Sequence, residues 1–184
     1  NGGNVTVPMM KQTENFGYAK SGNYLAVELT YDGDELSMVI LMNDGGKFSD
    51  FENTLKSPAV KAIIDELKNT RVALTMPKFE FESEFGLKET LMGMGMAEPF
   101  RDSADFSGMN GERDLHIDDV VHKAFVSVDE AGTEAAAATG VIMGIVSMPP
   151  ETVTVTLDHP FVFLIRDIET GAILFIGRVM NPNE

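Results

Sequence analysis

The sequence predicts a β-rich α+β fold, built of mostly antiparallel sheets with a few helices. Three observations carry that expectation. Strand-length apolar runs dominate both ends of the chain. An Asp-Gly pair stands between two of those runs, which is a strong hairpin signal. Helical periodicity is confined mainly to one stretch near residues 48–67, so helices cluster instead of alternating with strands.

The elements follow in order. Residues 5–10 form a short strand candidate, stopped or bent at Pro8. Residues 24–30 and 35–42 are strand-like and flank Tyr31-Asp32-Gly33-Asp34, the expected hairpin turn. Val39 to Met42 is apolar at every position, as a strand covered on both faces would be. Phe48, Phe51 and Leu55 then recur at helical spacing, as do Val60, Ile63, Ile64 and Leu67. Ser57 is the expected cap of the second helix and Pro58 suits its first turn. A third, shorter helix is expected within 87–96, where Met92, Met94 and Met96 are read as packing residues. Residues 71–85 alternate as one long strand, and 116–130 as another, with Val120, His122, Ala124, Val126 and Val128 sharing a face. Three strands near 153–157, 161–166 and 173–179 close the chain, the last two joined at Glu169-Thr170-Gly171. No internal repeat is visible.

Composition narrows the function classes. The chain has 184 residues, 43% apolar and 23% charged, which is globular usage. Its formal net charge of −15 repels phosphate backbones and anionic lipid surfaces, so neither nucleic acid nor membrane is an expected partner. No run of about eighteen apolar residues occurs to span a bilayer. Cysteine is absent, which removes disulfides, thiolate metal sites and a cysteine nucleophile together. His116, His122 and His159 are scattered, with no metal-binding or nucleophile motif around them. Residues 102–112 resemble a calcium loop superficially, but Ala104 stands where an oxygen ligand is required. No cofactor and no metal site is expected.

One segment departs from these rules. Residues 131–140 read Ala-Gly-Thr-Glu-Ala-Ala-Ala-Ala-Thr-Gly. The alanine run favours helix by propensity, but it is short, hemmed by Gly132 and Gly140, and continues from a strand. Read as a strand, it places Thr133, Ala135, Ala137, Thr139, Val141 and Met143 on one face and Glu134 on the other. A row of small residues can enter a sheet without demanding new space. Residues 141–147 are apolar and contain Gly144, and Met148-Pro149-Pro150 closes them with a stiff extended unit. This is the composition of protease bait, although physical grounds alone leave an ordinary surface loop as the simpler alternative.

Four blocks give the chain a resemblance to the serpins. They are Val7-Pro8-Met9-Met10; Val121-His122-Lys123-Ala124 leading into Val128-Asp129-Glu130; Gly132-Thr133-Glu134-Ala135-Ala136-Ala137-Ala138-Thr139-Gly140; and Asp158-His159-Pro160 through Arg166 with Leu174-Phe175-Ile176-Gly177-Arg178-Val179 and Asn181-Pro182. The resemblance implies one partial domain over 1–184, the C-terminal portion of the fold, with hinge and reactive-centre loop at 130–150. It places the start of the hinge at Glu130 and Gly132, and the inserting portion at Thr133, Glu134, Ala135, Ala136, Ala137, Ala138 and Thr139. The scissile bond falls between Val146 and Ser147 at the family's usual loop length. His122 matches the histidine of the shutter beneath the central sheet, and Lys78 with Glu130 matches the pair at the breach where insertion begins.

The activity so implied is not an enzyme's. A serpin is a suicide substrate: the target's own serine attacks the carbonyl of Val146, and the freed hinge inserts as a new strand. About ten to fifteen new ladder hydrogen bonds at about 1 kcal/mol each supply on the order of 10 kcal/mol, comparable with the stability of a domain. Val146 is small, branched and uncharged, which suits elastase-like or subtilisin-like proteases as covalent partners; cleavage after Met143 or Ile145 would shift that preference. A non-inhibitory serpin acting as carrier, chaperone or storage protein is the alternative, and an inactive fragment a third. The family analogy also implies an extracellular, monomeric full-length protein. A chain about half the family's length is expected neither to fold stably as a serpin nor to trap a protease alone.

Overall fold

The computed structural model describes residues 5–130 and 151–183. Two compact units emerge, one from residues 1–79 and 127–184, the other from residues 80–126.

The first unit is built on a seven-stranded sheet. Its strands are β1 (Met9–Ser21), β2 (Tyr24–Thr30), β3 (Leu36–Asn43), β4 (Lys68–Pro77), β7 (Val153–Thr156), β8 (Phe161–Asp167) and β9 (Ile173–Val179). They lie in the order β7-β4-β1-β2-β3-β8-β9. Every pairing is antiparallel except β4 with β7. A mostly antiparallel sheet with few helices is the expected class. The β2–β3 hairpin turns where the Asp-Gly pair predicts: the Tyr31 amide donates to the Leu36 carbonyl at 2.9 Å, and Gly33 has φ of 94°. β3 and β8 form the centre of this core. Val39, Ile40, Leu41 and Leu164 are fully inaccessible, and Phe161 and Phe163 nearly so. The continuous apolar run in β3 thus reports burial on both faces.

Helices α1 (Phe48–Thr54) and α2 (Ser57–Asp65) cover one face of this sheet. Phe51, Val60 and Ile63 join Ala19, Tyr24, Ala26, Val39, Leu41, Val162 and Leu164 in one cluster. On the opposite side, the Phe79 ring packs against those of Phe161 and Phe163, with centroids 5.8 and 5.5 Å apart. α2 starts one residue earlier than expected. Lys56 is its N-cap and makes no side-chain cap, while Ser57 is already helical and Pro58 lies in the first turn.

Three further elements differ from expectation. β1 starts after Pro8 and runs for thirteen residues, far beyond the short candidate before it. Its polar sequence hides it from periodicity, yet it pairs with β4 on one side and β2 on the other. The single long strand expected over 71–85 is two, β4 and β5 (Phe79–Gly86), which belong to different sheets. The break falls at Lys78, directly after Pro77, whose ring removes a ladder donor. The strand expected over 116–130 is shorter, as β6 (Val121–Val128).

The second unit holds most of the two-stranded β5–β6 sheet. It also holds α3 (Lys88–Gly93), a single 3-10 turn at Glu98–Phe100 and α4 (Ser107–Asn110), the last two unforeseen in the sequence. Met94 and Met96 are exposed here, at 79% and 45%, so they are not the packing residues their pattern suggests.

Candidate functional site

The segment of interest leaves the described structure at the end of β6, so the site is built from what surrounds Glu130. Lys78 occupies the one-residue gap between β4 and β5. Its backbone N–H donates to the Pro8 carbonyl at 3.2 Å, fixing that gap against the start of β1. From there its ammonium pairs with Glu130 Oε2. The contact holds the Glu130 carboxyl below the usual carboxylate range, through the hydrogen bond from Lys78 first. Both side chains are substantially exposed, at 40% and 58%, so strength is not what distinguishes this pair. What distinguishes it is its place, one residue before position 131.

Beside Glu130 lies a pocket of about 180 Å³. Buried Met10, Leu29, Leu74 and Met76 line it, with Lys11, Gln12 and Glu130 completing the wall. Composition and spacing gave no hint of this pocket, because its walls combine the β1–β2 pair with β4 and with Glu130, which lie far along the chain from it.

In β6, Val121, Lys123, Phe125 and Ser127 share one face and His122, Ala124, Val126 and Val128 the other. Lys123 Nζ contacts Glu82 Oε1 at 2.7 Å and Glu84 Oε2 at 3.0 Å, and both glutamates raise the Lys123 pKa. The i, i+2 spacing of Glu80, Glu82 and Glu84 on one strand and Lys123 on its partner carried this signal, unread. On the other face His122 sits against Phe85, ring centroids 5.1 Å apart. His122 is exposed, although Ala124, Val126 and Val128 on the same face are half-buried.

Of the residues singled out in the sequence, Lys78 and Glu130 meet. His122 lies in the unit of residues 80–126. Gly132, Thr133, Glu134, Ala135, Ala136, Ala137, Ala138, Thr139, Val146 and Ser147 all fall outside the described residues. Among the described residues, no group of three or more His, Asp or Glu side chains is gathered as a metal site requires. No helix among them is long and apolar enough to cross a membrane.

Comparison with known proteins assigns this arrangement a family. The family model for serpins, serine protease inhibitors, matches residues 1–182. An uncharacterised serpin-like protein of Thermococcus kodakarensis is 44% identical over 99% of the chain, covering 43% of its own length. Intracellular coagulation inhibitor 2 of Tachypleus tridentatus is 43% identical over 94% of the chain and 43% of its own length. Leukocyte elastase inhibitor of Bos taurus is 41% identical over 96% of the chain and 49% of its own length. The chain therefore spans somewhat under half the length of the curated relatives it matches.

Proposed function

Because this chain belongs to the serpin family, whose members are generally protease inhibitors and not enzymes, we propose that its parent protein inhibits serine proteases as a suicide substrate. The reactive bond is Val146–Ser147, and the segment Gly132 to Thr139 is the part that inserts after cleavage. The observation that carries this reading is the Lys78–Glu130 pair at the last described residue before that segment. It ties the end of β6 to the junction of β4 and β5, so a strand added beside β6 must first pass this contact. The small residues from Thr133 to Thr139 suit such an addition, since none demands room that a closed sheet lacks.

Val146 points to elastase-like or subtilisin-like targets, and the name of the bovine relative, an elastase inhibitor, agrees with the first. We read His122 as a shutter residue. Its contact with Phe85 ties β6 to β5 and has to adjust when β6 gains a new neighbour. The full-length protein is read as a monomer acting outside the cell, by analogy with the family; the Tachypleus tridentatus relative, named as intracellular, makes secretion the property to assay.

The test uses the full-length parent mixed with pancreatic or neutrophil elastase. A covalent complex that survives a denaturing gel, with cleavage after Val146 by mass spectrometry, is the expected result. Clean cleavage without a complex makes the protein a substrate-like, non-inhibitory serpin and overturns the reading.

A further inference from the structure

Any cut within residues 131–150 separates residues 151–184 from the rest of the chain, and something must then hold β7, β8 and β9 in place. We propose that Glu28, Ser37 and Arg166 form a polar lock that fixes the register of β8 on β3 and retains the C-terminal segment after loop cleavage. This rests on the proposed cleavage within that loop, but not on the protease being trapped.

The need for a lock follows from the burial pattern. Hydrophobic alternation normally sets register, because a one-residue slip sends every core side chain to the wrong face. β3 and β8 cannot use that device. Ser37 through Met42 are all buried, and so are Phe161 through Leu164, on both faces. An apolar strand facing an apolar strand gains nearly the same burial in either register.

The polar group supplies the missing specification. Arg166 donates from Nε and Nη2 to Glu28 Oε1, at 3.1 and 2.7 Å. The Ser37 hydroxyl donates to the same oxygen at 2.7 Å. Ser37 is fully inaccessible, and the Arg166 and Glu28 side chains are only 13% and 15% exposed. Strand alternation places all three on the face that carries Ala26, Val39 and Leu164. Gly17, opposite Glu28 on β1, makes room: a Cβ there would lie 3.0 Å from Glu28 Oε2. The group thus reaches across β2, β3 and β8, with β1 shaped to admit it. Slipping β8 by one residue sets either Ile165 or Asp167 opposite Ser37. The first leaves a nearly buried carboxylate without its cation, and the second brings two carboxylates together. Both are costly in a medium that water barely reaches. Among the described residues, the other ion pair that joins 151–183 to the preceding chain, Arg178 with Glu52, is 60% and 38% exposed and carries little of this burden.

The experiment uses the full-length parent, cut once within 131–150 by a protease whose site is confirmed by mass spectrometry. Release of the peptide bearing residues 151–184 is then followed by size-exclusion chromatography at a fixed urea concentration. Arg166→Met is expected to speed release by about tenfold or more, because it strands Glu28 without a partner. Arg178→Met is expected to change it by less than about twofold. Register is read separately with Leu36→Cys and Asp167→Cys, which lie opposite each other at the half-exposed end of the ladder. Their disulfide forms in the otherwise unchanged protein and falls in yield when Arg166→Met is added. Unchanged release and unchanged disulfide yield in Arg166→Met overturn the proposal. Should that variant fail to fold, Glu28→Gln takes its place, and unchanged release there overturns it equally. A parent that is cut but never traps its protease defeats the inhibitory reading alone, since the release assay needs only the cut.

Discussion

The two sheets of this chain are covered to very different degrees. In the seven-stranded sheet, β3 and β8 are inaccessible on both faces along most of their length. In the two-stranded sheet, no residue of β6 is fully buried, and exposed positions alternate with half-buried ones. Both contain strands rich in Val and Phe, so hydrophobicity alone does not separate them. The difference lies in neighbours: five further strands share the sheet of β3 and β8 and two helices cover it, whereas among the described residues β6 has one strand partner, and two strands alone are marginal in water. On the inhibitory reading proposed above, one sheet stays fixed and the other accepts a strand. Elements that move are drawn from the less stable parts of a structure.

The largest difference between the two sheets is expected on removing one phenylalanine from each. Phe163 is 1% exposed and stacks on Phe79, so Phe163→Ala in the full-length parent is expected to cost about 3–5 kcal/mol. Phe125, on the Lys123 face of β6, is 60% exposed, and Phe125→Ala is expected to stay within about 0.5 kcal/mol. Urea unfolding of both variants checks the pair. Comparable losses would show that β6 is as firmly covered as β8, and the division would fall.

A second, smaller effect sharpens what keeps the larger sheet fixed. The Tyr24 hydroxyl donates to Glu66 Oε2 at 2.5 Å, joining β2 to the C-terminal end of α2. That hydrogen bond, with burial behind it, pushes the Tyr24 pKa up from 10.0 to about 12. Tyr24→Phe is expected to cost about 1 kcal/mol near neutral pH. The sign follows from the raised value: the folded state holds the phenolic proton more tightly than the unfolded chain. The contribution is therefore complete below pH 10 and is lost as pH rises from 10 towards about 12. The stability gap between the parent and Tyr24→Phe should be constant up to about pH 10 and close above it.

How much of this was legible in the sequence depends on which signal each element used. The β2–β3 hairpin and the three C-terminal strands were readable because turn residues and apolar runs marked their ends. β1 was not: Lys11, Gln12, Thr13, Glu14 and Asn15 show no apolar alternation, and pairing with β4 makes them a strand. The break at Lys78 did leave a mark that was passed over: the apolar positions are even-numbered through Val72, Leu74 and Met76 and odd-numbered from Phe79, and the chain changes sheets between them. At the site, the Lys78–Glu130 match came from family resemblance; nothing in spacing alone joins residues so far apart. The Glu28–Ser37–Arg166 group was invisible for the same reason, as its members lie on three strands and are polar residues in otherwise apolar runs.

The smallest expected effect on stability concerns the pair nearest the loop, and it tests function more than folding. Lys78 and Glu130 are too exposed for their contact to hold the fold together, so Glu130→Gln should leave the unfolding midpoint of the parent unchanged. Its effect should appear where β6 must part from the β4–β5 junction. Hydrogen exchange of β6 amides is expected to quicken in Glu130→Gln, while exchange in β3 and β8 stays as it was. Acid should mimic the substitution. The Glu130 carboxyl is held below its ordinary value, so the contact is intact above the ordinary carboxylate range and is lost as pH falls through the lowered value. Exchange in β6 of the unsubstituted parent should then approach that of Glu130→Gln, and the variant itself should show no such acid response. If Glu130→Gln and its parent exchange alike at every pH, the ion pair is an ordinary surface contact, and on the inhibitory reading any resistance of β6 to strand addition comes from its ladder with β5 instead.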